Sequence, residues 1–352
     1  MSSADVLVVG AGPVGLTAAL ALVRRGLRVD LVERREGLGS ASLAATFHPP
    51  TLQILADLAV DLSGQGLKAS TVGYRADDGG SQVRFDLAEL ADETAYPYRR
   101  HVPQLTVCQL MLSALRHSPR CRIRFGCSAS EAMLANYPWV FAADGADSGL
   151  RTAAGVGFPG DEYAGTVVRL LCDPAGFDGW DAVSYVFSQD ISVSVLRMID
   201  HVRVIVRAEE GVVDPQSAAQ EVAARVTGVT PVVRSWSQYR SQRRVIEDNL
   251  RDNVIFVGDS AHVTTTRGGM NMNAGIHDAA VLATVLARDP GGLAAAARDR
   301  LAIAREKLLP RTHDTLDAPA ARLVRVRAVH DDPPARAEFL RRTAMLDMVS
   351  WP

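Results

Sequence analysis

An α/β fold is what this sequence predicts: a parallel nucleotide-binding sheet, a second domain on a mostly antiparallel sheet, and closing C-terminal helices. Three observations carry it. Asp5-Val6-Leu7-Val8-Val9 is a short apolar run that leads straight into Gly10-Ala11-Gly12-Pro13-Val14-Gly15 and a helical stretch from Pro13 to Arg25, ended by Gly26. Arg28-Val29-Asp30-Leu31-Val32 reads as a second strand that delivers Glu33. Far downstream, Asn253 to Val257 reads as another buried strand; it ends in Gly258-Asp259 and leads to Gly268-Gly269-Met270-Asn271-Met272-Asn273. Strand, glycine turn and helix in this order aim free helix N-terminal amides and a positive dipole end at a pyrophosphate. Gly10 makes the turn, Gly12 admits the phosphates, Gly15 packs helix on strand, and Glu33 is placed to accept hydrogen bonds from a ribose. Arg34 and Arg35 suggest a 2′-phosphate site, but Glu33 would repel one, so they read as solvated charges; Arg34 stays a candidate cofactor contact with Gln104.

The remaining elements follow in order. Pro50 to Leu62 has helical spacing, and Val72 to Leu87 alternates as strands do around Asp77-Asp78-Gly79-Gly80. Val102 to Arg116 is helical again, Arg122 to Phe125 and Trp139 to Ala143 are short strands, and the latter ends at Asp144-Gly145. Thr166-Leu171, Ser184-Phe187, Ile191-Met198 and Val202-Arg207 alternate or run apolar, with turns at Asp178-Gly179 and Asp200-His201, which predicts a mostly antiparallel sheet. Asn273 to Leu286, Leu293 to Arg311 and Ala318 to Arg342 read as helices. The expected division is a discontinuous nucleotide domain over 1–71, 97–157 and 245–300, a β-rich substrate domain over 72–96 and 158–244, and C-terminal helices over 301–352.

Composition narrows the function. With 352 residues, 47% of them hydrophobic, the chain can bury a large core. A net charge of -2 gives no electrostatic reason to expect nucleic acid or an anionic membrane as partner. The opening residues lack a basic n-region and a cleavage site, so the expected location is the cytoplasm, as a monomer or homodimer. Cys108, Cys121, Cys127 and Cys172 lack C-x-x-C spacing and read as reduced thiols, and no metal site is expected.

Three segments together resemble the fingerprints of the group A flavoprotein aromatic hydroxylases, relatives of para-hydroxybenzoate hydroxylase. They are Gly10 to Gly15 with Glu33, Asp144-Gly145-Ala146-Asp147-Ser148 with Arg151, and Gly258-Asp259-Ser260-Ala261-His262 leading into Gly268 to Ala279. Thr46-Phe47-His48-Pro49-Pro50-Thr51-Leu52 and Gly157 to Asp161 are also similar to stretches of that family. The resemblance implies a Rossmann-like FAD-binding domain of the GR2 type. Asp259 would bind ribityl hydroxyls, the Asp144-Gly145 segment would lie in the FAD and nicotinamide region, and Gly268 to Asn273 would lie flat against the flavin ring. NADPH or NADH would reduce FAD, and a C4a-hydroperoxide would then pass one oxygen of O2 to an aromatic or polyketide-type substrate. His262, His277 and Arg197 are weak catalytic candidates. Phe47, His48, Tyr185, Phe187 and Val195 are substrate candidates, with Val193 and Arg197 added by alternation.

The chain departs from the family in three places. Leu43, with Ser40 and Ser42 nearby, stands where relatives often carry Arg or Lys. Thr264-Thr265-Thr266-Arg267 replaces a proline-bearing stretch, and Cys127 to Trp139 is short for the usual hairpin. Two other readings stay open: a non-hydroxylating FAD-dependent oxidoreductase of a biosynthetic pathway, and a non-catalytic FAD-binding homologue. The Trp-x-Trp-x-Ile-Pro run of flavin halogenases is missing.

Overall fold

In the computed structural model, residues 4–39, 44–77, 82–188, 191–208, 213–314 and 319–349 are described. Ser40, Ser42 and Leu43 lie outside these residues, as does most of the Asp77 to Gly80 turn.

The first strand, Val6–Val9, is buried along its whole length, which is what a central parallel strand requires. It pairs in parallel with Val29–Val32 on one side and Trp139–Ala142 on the other. The sheet extends to Cys121–Arg124 beyond the former, and to Val254–Phe256 and Leu250–Arg251 beyond the latter. Pro13 opens the first helix, Pro13–Arg24, where its missing N–H costs no bond, and Val14 through Val23 are all buried. This helix packs between Gln104–Arg116 and Asn271–Arg288 in the main core.

The second sheet has seven strands in the order Val233–Tyr239, Thr166–Cys172, Val202–Ala208, Ser192–Arg197, Val183–Phe187, Thr71–Ala76, Gln82–Asp86. All neighbours are antiparallel except Val183–Phe187 with Thr71–Ala76. One face packs Val168, Leu170, Val193, Val195, Val204 and Val206 against the helix Pro215–Thr227. The opposite face carries Tyr74, Phe85 and Phe187 under the C-terminal helices Pro319–Asp331 and Pro333–Thr343 at one end. Its remainder lines a cavity.

Sequence and structure differ most after Leu293. The expected single helix becomes Leu293–Ile303, a wide π segment at Ala304–Leu308, and Leu309–Asp314. Pro310 has no N–H to offer the carbonyl of Glu306, so the regular ladder is broken there. Helix Pro215–Thr227 and strand Val233–Tyr239 were not anticipated, although Asp214 caps the helix and Gly228 ends it at φ 71°.

Candidate functional site

One cavity of about 960 Å³ runs from the carboxyl ends of the parallel strands to the face of the seven-stranded sheet opposite Pro215–Thr227. Its nucleotide end is built by the first strand, turn and helix. Gly15 is a packing glycine: a Cβ there would sit 2.0 Å from the carbonyl oxygen of Gly10. At Gly12 a Cβ would meet no protein atom within 4 Å, which leaves a free channel at the helix N-terminus. Pro13 and Val14 also line it.

Glu33 closes this end. It is buried, and accepts from the Ala11 amide at 2.8 Å, and from the amide and Nε of Arg35 at 3.1 and 2.9 Å. Burial opposes its ionisation, but these bonds outweigh that, and its carboxyl lies below the ordinary value. Arg34 and Gln104 line the same end.

Two aspartates follow, with different surroundings. Asp144 is occupied within its own segment: it accepts from Ser148 Oγ at 2.6 Å and from the Leu150 amide at 3.2 Å. Arg151 ties this segment to the next, donating to the carbonyls of Ala146 at 2.7 Å and Ser260 at 3.1 Å. Asp259 instead opens onto the cavity, held by a single side-chain bond from Asn271 Nδ2 at 2.8 Å. Asp259 is exposed at the cavity wall, yet the protein packed around it raises its carboxyl above the ordinary value, offset in part by His262 and Asn271.

Behind Asp259 lies a polar chain. Asn271 Oδ1 is 3.3 Å from His262 Nδ1, His262 Nε2 is 2.6 Å from Asp278, and Arg300 Nε donates to Asp278 at 2.7 Å. Burial disfavours the charged ring of His262, yet Asp278 outweighs it and raises the value above the ordinary one.

Gly268 and Gly269 have φ of 74° and 64°, and with Met270, Asn271 and Met272 they form the floor of the cavity at the N-terminus of helix Asn271–Arg288. Thr266 Oγ1 and Tyr239 OH are 2.6 Å apart, and Arg267 bonds Ser192 Oγ. His48 Nε2 lies 2.8 Å from the Gly268 carbonyl oxygen. The loop therefore ties the seven-stranded sheet to the segment at His48.

Several expected site residues stand away from the cavity wall. Asn273 is fully buried and spends its amide on the carbonyls of Thr46 and Gly269 and on the His48 amide. Gly15 and Gly258 pack helices rather than line the space, and a Cβ at Gly258 would strike Val14. Phe47 is in the main core. His48 supports the loop from behind. His262 is committed to Asp278, and His277 to Thr51 at 2.8 Å; burial, with Arg300, pushes His277 down to about 3. Neither histidine reaches the cavity.

The sheet assignments need a sharper correction. Tyr185 does line the cavity, but Val193 and Val195 point into the core beneath Pro215–Thr227, Phe187 lies under the C-terminal helices, and Arg197 donates to the Trp180 carbonyl. Register explains this: Tyr185 lies opposite Ser194 and Val183 opposite Leu196, so the even-numbered positions of that strand face the cavity. The stronger apolar alternation marked the core face. Arg169, Arg203, Ile205, Ser237 and Tyr239 complete the wall, and sequence reasoning missed all five. The mixed Arg and Ser spacing opposite the valines was the available signal.

Comparison with known proteins decides the family. The sequence matches the family described as FAD binding domain over residues 3–136 and 135–317. The chain belongs to that family. FAD is its cofactor, and the open Gly12 channel, the Glu33 carboxylate, cavity-facing Asp259 and the two-glycine floor fit a long dinucleotide. Among curated relatives, it is 27% identical over 317 residues to 6-hydroxy-3-succinoylpyridine 3-monooxygenase of Pseudomonas putida, covering 80% of this chain and 78% of that one. It is 26% identical over 314 residues to para-nitrophenol 4-monooxygenase of a Pseudomonas species, covering 80% and 77%. Among solved structures, p-nitrophenol 4-monooxygenase of Pseudomonas putida superposes with a TM-score of 0.85 at 24% identity, covering 97% of this chain and 98% of that one. Among the described residues no group of three His, Cys, Asp or Glu could hold a metal, and no helix is long and apolar enough to cross a membrane.

Proposed function

We propose that this chain is an NAD(P)H-dependent FAD monooxygenase that hydroxylates an aromatic or aromatic-polyketide small molecule. The observation that carries the reading is the single cavity, in which the nucleotide-binding turn and the sheet face open onto one another at the loop Thr266 to Met272. The monooxygenases it matches, named for a hydroxypyridine and a nitrophenol, support an aromatic substrate. The seven-stranded sheet draws its strands only from 71–86 and 166–239, which supports the proposed division into discontinuous nucleotide and β-rich domains.

Each part of the wall has a task. Gly10, Gly12 and Pro13 would hold the pyrophosphate, Glu33 the adenosine ribose, Asp259 the ribityl chain, and Gly268 to Met272 the ring. Bound FAD supplies the store for two electrons from NAD(P)H and the place where O2 is activated. The N-terminus of the helix Asn271–Arg288 favours negative charge on a group docked at the floor. Val183, Tyr185, Leu196 and Ile205 exclude water from the substrate side. Hydroxylation is tested by supplying the purified holoenzyme with NADH or NADPH, 18O2 and a panel of phenols and aromatic polyketides, followed by mass spectrometry. One 18O atom per product is expected. Nicotinamide oxidation that yields only peroxide or water with every compound counts against hydroxylation, and no nicotinamide turnover at all points to a non-catalytic FAD-binding protein.

A further inference from the structure

The polar chain behind Asp259 leaves no choice about where its protons sit. Asn271 opens the helix Asn271–Arg288, and its side-chain amide lies between Asp259 and His262. An ionised carboxylate can only accept, so the amide presents Nδ2 to Asp259 Oδ1, at 2.8 Å. That leaves Asn271 Oδ1, which also only accepts, 3.3 Å from His262 Nδ1. Nδ1 must therefore carry a proton. The other ring nitrogen, Nε2, lies 2.6 Å from Asp278 Oδ2, again an acceptor. With both nitrogens donating, the ring is a cation held between two carboxylates, one touched directly and the other through an amide.

His262, Asp278 and Arg300 are all buried, so water does not take over their bonds. The charged groups that face the ring are Asp278 from the helix Asn271–Arg288 and Asp259 from its own segment, with Arg300 of Leu293–Ile303 behind Asp278. His277, one position before Asp278, is bonded to Thr51 instead. Burial disfavours the cation, but Asp278, Asp259 and the Asn271 bond together hold the ring above its ordinary value. As the pH rises through that folded value, one proton leaves. It leaves Nδ1, because Asp278, with Arg300 on its other oxygen, keeps the proton at Nε2. Nδ1 then becomes an acceptor facing the Asn271 oxygen, and the two lone pairs repel. Turning the amide over mends that contact but takes the donor away from Asp259 and sets an oxygen against its carboxylate.

We propose that His262 is a positioning residue for the cofactor: its Nδ1 proton fixes the Asn271 amide so that Asp259 stays an ionised acceptor aimed at FAD. This rests on the placement of Asp259 at the ribityl chain. The FAD dissociation constant, read from flavin fluorescence as the holoenzyme is diluted, tests it between pH 6 and pH 9. Wild type should hold FAD about tenfold more weakly at the upper end, the lower range for one hydrogen bond to a charged group. His262→Gln and Asn271→Leu should both lack that slope, because neither can pass the state of the ring proton to Asp259. Titration of FAD itself is common to all three proteins. Asn271→Leu leaves His262 on Asp278, and it decides alone should His262→Gln fold poorly, as its melting temperature would show. A flat wild type, or a slope that survives His262→Gln, overturns the proposal. So does a slope that survives Asn271→Leu, since the ring charge would then act on Asp259 through space rather than through the amide. Asp259→Ala with unchanged FAD affinity would sink the placement of Asp259 instead, and a weakened Asp259→Ala beside a flat wild type would sink the relay alone.

Discussion

Asp144 and Asp259 end comparable strands beside a glycine, yet their surroundings assign them different work. Asp144 spends its oxygens on Ser148 and Leu150, so Asp144→Ala should act mainly on the stability of its own segment. Asp259, held only by Asn271 among side chains, keeps acceptor capacity for the cofactor. Asp259→Ala should weaken FAD binding by roughly 10- to 150-fold, or about 1.5–3 kcal/mol, and by more than Asp144→Ala; fluorescence titration of the apoprotein measures both. The buried chain behind it makes a pH prediction. Removing one member of the His262, Asp278 and Arg300 cluster strands a buried charge, so Arg300→Met should cost about 3–5 kcal/mol in thermal or urea unfolding. His262 is held above its ordinary value in the folded state, so its contribution is complete below about pH 6.5 and is lost as the pH rises through the folded value. The destabilisation caused by His262→Asn should therefore shrink between pH 6 and pH 9. A constant difference across that range would mean that folding does not raise the ring's pKa.

Among the elements, the first helix shows how one motif divides its duties. Gly15 serves the packing of the protein, and Gly12 leaves open space at the helix N-terminus where we propose the cofactor's phosphates lie. Gly15→Ala drives a methyl group into the Gly10 carbonyl and should cost about 1–3 kcal/mol of apoprotein stability. Gly12→Ala meets no protein atom, so it should leave the apoprotein's melting temperature nearly unchanged while weakening FAD binding at least tenfold. Equal effects of the two on apoprotein melting would contradict this division. The strand Ser192–Arg197 gives the complementary lesson. Its valines form the cleaner pattern because they pack under Pro215–Thr227, and the face that lines the cavity is the mixed one.

For the whole molecule, the loop from Thr264 to Gly269 joins parts that the chain places far apart. Thr264 and Thr265 bond Thr312, Thr266 meets Tyr239 and Arg267 meets Ser192, so the flavin floor and the sheet wall are mechanically connected. A ligand on the sheet wall should bias where the ring rests, and substrate should accelerate FAD reduction by NADPH or NADH at least tenfold, about 1.4 kcal/mol of barrier. Stopped-flow reduction with and without ligand measures it. Equal rates would show that the threonine and arginine ties do not gate the ring.

The nucleotide half was legible in the residues because its physics is local. A buried strand, a turn with open space beside Gly12 and a helix begun by Pro13 are set by neighbours within a few positions, and Glu33 and Asp259 follow at strand ends. Most strands of the second sheet were legible as a mostly antiparallel sheet for the same reason, since alternation is local, but Val233–Tyr239 was not. Which face of each strand lines the cavity was decided only by tertiary structure. A one-residue change of register reverses every side chain, and Pro215–Thr227 and the C-terminal helices, arriving from elsewhere in the chain, chose the faces to bury. His262 and His277 could be read only as weak candidates beside a structural role for a related reason: their partners Asp278 and Thr51 claim them only once the helices pack.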